Sequence, residues 1–234
     1  MEGSIKEEVI MDTFEEIGSH PSLKDRVYES LKLQIITGKL EPNRHLLEAE
    51  LAELMKISRA PIREALNILE KEGLVTIIPR KGAEVSSISK KEVENIWEIR
   101  AILEPYAARN STQKCKKVEL CEIENKLNKI LKEPYDFANY LNADLEFHEL
   151  LYKHLENKML IQIIKMVRQN SLRIRNFAER QSAFTKEIAS SDTDEHLEIV
   201  RAIKSRDSER TGGAVYVHIM NSKRRIIQAL ENKN

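Results

Sequence analysis

Four side chains that can bind metal ions fall at positions that the sequence predicts to be buried. Asp144 and His148 are four residues apart on a predicted helix, so both side chains point to the same side. The other residues of that side are apolar: Phe137, Leu141, Leu151 and Leu155. Burying an unpaired carboxylate costs several kcal/mol. The pattern therefore predicts a compensating partner for Asp144.

Two further histidines lie on predicted inward faces. His196 shares a helical stripe with Ile199, Val200 and Ile203, and His218 lies near the stripe of Ala214, Val215 and Ser222. One carboxylate and three imidazoles suit a divalent transition metal with open coordination positions, such as zinc, nickel or manganese. The alternative is that each histidine is only hydrogen-bonded within the core.

A cation is predicted inside the same helical region. Arg100 and Glu104 fall among the inward residues of one helix, next to Trp97 and Leu103. A buried guanidinium requires an anion. That anion is either Glu104, four residues along the helix, or the carboxylate of a bound ligand. Arg173 and Arg175, on a later helix, are candidates for adding charge to such a ligand site.

These side chains must be positioned by helices. Ser89 and Glu92 have the spacing of a capping box, and a long helical region begins there. Breaks near Thr112, Pro134, Asn157, 182–192 and 206–207 divide it into six to seven helices, which is typical of a bundle. Gly212 and Gly213 weaken a helix, so we expect the last one to begin late or to bend near His218.

Residues 50–79 predict a helix, a turn, a second helix and a strand. Ser58 is placed to cap the second helix, which carries a buried stripe of Ile62, Ala65, Leu66 and Leu69. Arg59, Arg63 and Asn67 follow one another at four-residue intervals on a neighbouring polar stripe. A β-hairpin with Arg80, Lys81 and Gly82 at its tip comes next. Together they predict a winged helix-turn-helix that binds DNA.

Composition limits the remaining possibilities. The chain has 234 residues, 38 cations and 38 anions, so any attraction for DNA must be local. Its two cysteines, Cys115 and Cys121, suit a reducing compartment. No apolar run approaches the ~20 residues that a membrane helix needs. We therefore expect a cytoplasmic protein without a membrane partner.

The predicted winged helix-turn-helix at residues 22–88, which we call the head, resembles a known family. SRAPIREAL, EKEGLV and PRKGAEV, in this order within residues 23–88, are similar to the winged helix-turn-helix of GntR-type transcriptional regulators. The resemblance implies that Arg59 and Arg63 read or clamp DNA and that Lys81 and Gly82 approach the minor groove. Ala49 and Ala60 depart from the family pattern, which leaves the operator sequence open.

The helical region resembles the FCD effector domain of the FadR subfamily. The similarity lies in WEIRAILEPYAAR, ADLEFHELLYKHLEN, DEHLEIVRAIKSRD and the spaced His218. It implies that Asp144, His148, His196 and His218 are metal ligands and that Arg100 helps to hold a small organic acid beside the metal.

The predicted fold is mainly α, with an extension at 1–21, a winged helix-turn-helix at 22–88 and an all-helical domain at 89–234. The predicted function is a homodimeric regulator that binds a palindromic operator and responds to a small carboxylate effector. Two alternatives remain: a metal-dependent enzyme with Glu104 as general base, and a regulator whose metal is purely structural.

Overall fold

The structure, a computed structural model, describes residues 21–231, so nearly all of the predicted extension at 1–21 lies outside the described residues. The described elements follow one another along the chain as α1 (Leu23–Ile36), β1 (His45–Leu46), α2 (Glu48–Met55), α3 (Arg59–Lys71), β2 (Val75–Ile78), β3 (Gly82–Val85), α4 (Lys90–Ser111), α5 (Lys117–Lys132), α6 (Phe137–Leu150), α7 (Lys158–Arg180), α8 (Lys186–Lys204) and α9 (Ser208–Glu231). The predicted architecture, mainly helical with a winged head before a helical bundle, is confirmed.

The head is built around α3. Its buried stripe of Ile62, Ala65, Leu66 and Leu69 packs with apolar residues of α1 and of the sheet. The three strands are antiparallel in the order β1-β3-β2, with Val75 opposite Val85 and Ile78 opposite Gly82. Gly73 ends α3 with φ of 73°, a left-handed conformation that suits glycine. The wing hairpin is thereby placed directly beside the polar side of α3.

One local prediction about the head is wrong. Ser58 occupies the N-cap position of α3, but its side chain makes no capping hydrogen bond. On α2, Leu54 is 78% exposed. The α2 helix has only eight residues and none of them is fully buried, so its packing rests on partly buried Leu51, Ala52 and Met55.

Six helices, α4 to α9, form the second unit of the described chain. Their shared core includes Trp97, Phe147, Ile174 and Ile219. Ser89 caps α4 by accepting from the Glu92 amide, but the Glu92 carboxylate pairs with Arg173 instead of completing the capping box. None of the described helices is long and apolar enough to cross a membrane.

Two helices begin earlier than expected. Residue 192 lies inside α8, which begins at Lys186, so the break before it is shorter than expected. The last helix begins at Ser208 and runs through both glycines. A Cβ on Gly212 would lie 2.6 Å from Arg109 Cγ on α4, whereas a Cβ on Gly213 would meet nothing within 4 Å. Gly212 therefore permits the close approach of α9 to the Arg109 side chain of α4.

Candidate functional site

The first candidate site is a groove between α3 and the wing. Its volume is about 540 Å³, and six of the seven predicted DNA-binding residues line it: Arg59, Arg63, Asn67, Arg80, Lys81 and Gly82. Ser58 is not among the lining residues. The five side chains other than Gly82 are exposed. The fold therefore brings four cations, from α3 and from the hairpin tip, to one surface.

Two contacts define the groove more closely than the sequence did. The Arg63 guanidinium donates to both carboxylate oxygens of Glu48, with its Nη2 2.7 Å from Oε2. Gly82 has φ of 91°, and a Cβ there would lie 2.5 Å from the Leu46 carbonyl oxygen. The close approach of β1 to β3 thus requires a glycine at position 82. This structural role is separate from the DNA contact that the resemblance implies for Gly82.

The second candidate site lies at the centre of the bundle. Asp144 and His148 come from α6, His196 from α8 and His218 from α9, and each is at most 2% exposed. We call these four residues the cage. His196 Nε2 lies 3.2 Å from His218 Nε2 and 3.7 Å from Asp144 Oδ1, and His148 Nε2 lies 3.6 Å from the same oxygen. The four predicted metal-binding side chains are therefore brought together.

The cage fits a divalent metal ion on two grounds. Ligand atoms about 2.1 Å from one metal ion stand roughly 3.0–3.4 Å apart in octahedral or tetrahedral arrangements, close to the observed separations. His148 Nδ1 is 2.7 Å from Glu104 and His218 Nδ1 is 2.8 Å from Glu195. A proton on each Nδ1 leaves both Nε2 lone pairs for the cage, and His148 Nε2 has no hydrogen-bond partner in the part of the chain that the structure describes.

Electrostatics keeps these groups in metal-binding form. Burial by itself would raise the pKa of Asp144, but Arg175 and Arg168 outweigh it and hold that pKa well below the usual range. Burial, with Arg168 nearby, lowers the pKa of His148 to about 3. Burial and the neighbouring His218 hold the pKa of His196 well below 6.5. At neutral pH the cage therefore offers a carboxylate and two neutral imidazoles from these three residues.

Arg100 and Glu104 surround the cage as predicted, and Glu104 is the partner of Arg100. Glu104 accepts from Arg100 Nε at 2.6 Å and also pairs with His148. Arg100 also donates to Ser171 Oγ, which leaves Nη2 without a hydrogen-bond partner in the described part of the chain. Arg100 thus keeps one buried donor that an additional anion could accept.

Arg173, predicted to lie near Arg100, is placed elsewhere. Its guanidinium donates to the Ser86 and Ser87 carbonyls and to Glu92, at the junction between the head and α4. The reason is helical geometry: on α7, Arg168, Ser171 and Arg175 form the stripe that faces the cage, and residue 173 points away from it.

Sequence reasoning missed or undervalued several residues around the cage. Arg168 Nη2 and Arg175 Nη1 donate to the two Asp144 oxygens at 2.9 and 2.6 Å. Their spacing with Ser171, at three and four residues, was a detectable signal.

Asp192 precedes His196 by four residues, as Asp144 precedes His148, and Glu195 orients His218. Asp192, Glu195 and His218 also lie together, but Arg225 already pairs with both carboxylates.

His154 does not belong to the cage. It is half-buried and pairs with Glu119 at 2.9 Å on the surface of the bundle.

Comparisons with known proteins agree with both halves of the chain. The model of the bacterial regulatory proteins, gntR family, matches residues 23–85, and the FCD domain model matches 95–221. The chain is 28% identical over 209 residues to the HTH-type transcriptional regulator YdhC of Bacillus subtilis, covering 87% of this chain and 91% of that protein. It is 28% identical to the gluconate operon transcriptional repressor of Bacillus licheniformis, covering 82% and 79%.

Solved structures share the fold. Escherichia coli McbR/YncC has a TM-score of 0.73 at 22% identity and covers 92% of this chain and 100% of its own. The metal-free FCD domain of TM0439 has a TM-score of 0.55 at 20% identity, and its Zn²⁺-bound form has 0.51 at 17%; each covers 63% of this chain and 99% of its own. The FCD model alone spans more than half of the 234 residues, and the curated relatives are named as regulators. The chain therefore belongs to the GntR family of DNA-binding transcriptional regulators, in the FadR-type architecture of a winged helix-turn-helix and an FCD domain, and it is not an enzyme.

Proposed function

We propose that operator binding by this regulator is controlled by a small organic acid bound beside a divalent transition metal in the FCD domain. Asp144, His148, His196 and His218 would hold the metal, which is zinc, nickel or manganese. The observation that carries this proposal is that ligand atoms of His148, His196 and His218 lie within 4.8 Å of one another inside the bundle, with Asp144 Oδ1 3.6 and 3.7 Å from the first two.

The charges around the cage support an anionic effector. Three buried guanidiniums, those of Arg100, Arg168 and Arg175, face the buried carboxylates of Glu104, Asp144 and Asp192. These charges already balance one another, so a bound divalent cation adds an excess positive charge. Among the described residues, Arg100 Nη2 and Arg168 Nη1 are buried donors without hydrogen-bond partners. A carboxylate that binds both the metal and a guanidinium would neutralise part of the excess positive charge and would accept hydrogen bonds from the unpaired guanidinium donors.

One relative supports this class of ligand. The Bacillus licheniformis relative is a repressor of a gluconate operon, and gluconate is a small hydroxy acid. We propose the class of small carboxylates for this chain. All cage residues are buried, so an acid can reach them only if the bundle opens. Ligand binding and a change of conformation are then linked.

The metal proposal is tested by replacing two ligands. His148→Ala/His196→Ala is expected to lose bound Zn²⁺, measured by equilibrium dialysis and elemental analysis, while His45→Ala, a variant of an exposed head residue, keeps it. One metal ion per chain in the double variant would overturn the assignment. The effector is tested by screening small acids for a rise in melting temperature with and without Zn²⁺. A metal-bound protein that no acid stabilises would favour a purely structural metal.

For the DNA interface we propose Arg59, Arg63, Asn67, Arg80 and Lys81 as the contacting side chains. Their support is that they are exposed and line one groove together with Gly82. Arg63→Ala is expected to weaken binding to a duplex enriched by in vitro selection by about 1–3 kcal/mol. Arg201→Ala, an exposed arginine on α8, is the control. If the Arg63 variant and the wild type bound the selected duplex with equal affinity, α3 would not be the helix that recognises DNA.

We further propose that the regulator binds a palindromic operator as a homodimer. An exposed apolar stripe on α4 supports a second copy as the partner: Ile99, Ile102 and Tyr106 are 42%, 65% and 55% exposed at helical spacing. Ile102→Glu is expected to shift the protein from dimer to monomer in analytical ultracentrifugation. A dimer of unchanged stability in that variant would place the interface elsewhere.

A further inference from the structure

The α7 helix contacts the DNA-binding head through one row of side chains. Four of them donate hydrogen bonds to main-chain carbonyls of the head and of the segment that follows the wing: Asn170 Nδ2 to Glu72 O at 2.9 Å, Arg173 Nη1 to Ser86 O at 2.6 Å, Asn176 Nδ2 to Ile36 O at 2.9 Å and Arg180 Nε to Thr37 O at 3.1 Å. All the donors belong to α7. All the acceptors are backbone oxygens, so each one moves together with the helix or segment to which it belongs.

The acceptors lie at the places that orient the head. Ile36 and Thr37 end α1, and Glu72 is the C-cap of α3. Carbonyls at helix C-termini have no partner within their own helix and carry partial negative charge. Amide and guanidinium donors from α7 therefore suit them. Through these bonds α7 holds the C-terminal end of α3, the helix that lines the DNA groove, and the end of α1, which packs against it.

The opposite side of the same helix contacts the cage. Arg168 and Arg175 bind the two oxygens of Asp144, and Ser171 accepts from Arg100 Nη1 at 2.9 Å. Arg173 and Arg175 are two residues apart, roughly 200° around a helix, and they point to the head junction and to the cage. The residues that contact the head and those that contact the cage alternate along a single rigid element.

A ligand in the cage would act directly on this helix. A divalent cation at Asp144 would compete with Arg168 and Arg175 for the carboxylate oxygens and would repel both guanidiniums, whereas an organic anion would attract them. Either change displaces the cage-facing side of α7. Because α7 is a continuous helix of 23 residues, the displacement also moves its head-facing row.

We propose that α7 transmits the occupancy of the cage to the DNA-binding head, with Asn170 and Asn176 as the positioning residues that couple the two. This inference rests on the proposed function, since it requires the cage to bind a metal. The covalent route from the wing through residues 86–89 into α4 is the competing path, and substitutions of Asn170 and Asn176 leave it intact.

The test is amide hydrogen exchange followed by mass spectrometry on the full chain with and without Zn²⁺. In the wild type, Zn²⁺ is expected to change exchange in α6 and α8 and also at the C-terminal ends of α1 and α3, there by about 5-fold or more. In Asn170→Ala/Asn176→Ala the change within the bundle is expected to remain, while the change at α1 and α3 falls below about 2-fold.

The matched control is Asn128→Ala on α5. Asn128 is half-buried, as Asn176 is, and like Asn170 it donates to the carbonyl four residues earlier, Glu124 O at 2.9 Å, but it has no hydrogen bond to the head. It is expected to behave as the wild type does. If Zn²⁺ alters neither region, metal binding fails and this inference falls with it. If the bundle responds and the head does not, coupling through α7 is refuted while the metal site stands. If the head still responds in the double variant, Asn170 and Asn176 are refuted as the coupling residues.

Discussion

The buried cage should make the metal-free protein sensitive to mild acid. His148 and His196 are fully buried, and burial lowers the pKa of each, to about 3 for His148. In the unfolded chain each imidazole has its ordinary pKa of about 6.5. As the pH falls below about 6.5, the unfolded state takes up protons that the folded state refuses. Stability is therefore fully present above that pH and is lost as the pH falls toward about 3.

The size of this loss follows from the two pKa values. Between pH 7.5 and pH 5.0, a histidine with an unfolded pKa near 6.5 that stays neutral when folded contributes about 2 kcal/mol of destabilisation. Two such residues contribute about 4 kcal/mol, a large fraction of the roughly 5–15 kcal/mol by which folded domains are stable. The carboxylates around the cage do not add to this loss, because Asp144 and Glu104 have pKa values well below their usual ranges and stay ionised at pH 5.

The assay is urea denaturation in the presence of a chelator, with the fluorescence of Trp97 as the signal. Trp97 is the single tryptophan, it is fully buried and its Nε1 donates to Ser222, so it reports on the bundle. His148→Gln is expected to reduce the loss between the two pH values to about 2 kcal/mol, because one of the two protonatable sites is gone. His45→Gln, on the surface of the head, should leave the loss in the bundle unchanged. The same pH dependence in His148→Gln as in the wild type would refute the reasoning.

Two further predictions concern α9 and the DNA groove. Gly213→Ala is expected to stabilise the protein by about 1 kcal/mol, because alanine is the better helix former. Gly212→Ala should lose that gain or reverse it, because its Cβ would lie 2.6 Å from Arg109 Cγ. Equal effects of the two substitutions on the free energy of unfolding, measured by chemical denaturation, would contradict the close approach. Glu48→Gln is expected to lower the ratio of specific to non-specific DNA affinity about 5-fold, or about 1 kcal/mol. The substitution removes a negative charge from the groove and leaves Arg63 one neutral acceptor in place of two carboxylate oxygens. Fluorescence anisotropy with selected and scrambled duplexes measures this ratio, and an unchanged ratio would show that the pair has no role in recognition.

The sequence by itself was sufficient for the fold class and for the composition of the cage. Helical periodicity placed Asp144 and His148 on one inward face, because residues four apart on a helix necessarily share a side. The same argument placed Arg59, Arg63 and Asn67 on one exposed stripe. These are local properties of a helix, and they do not depend on what the helix packs against.

Only the tertiary structure decided which partners those side chains meet. Arg173 and Arg175 differ by two positions and both occur on a helix that the sequence predicted, but the packing of α7 between the head and the bundle sends one to Ser86 and the other to Asp144. Glu48 reaches Arg63 from 15 residues away, and Gly212 leaves room for the side chain of Arg109, which crosses it. Each of these contacts depends on the distance and angle between separate elements, and the spacing of residues within one element contains no information about either.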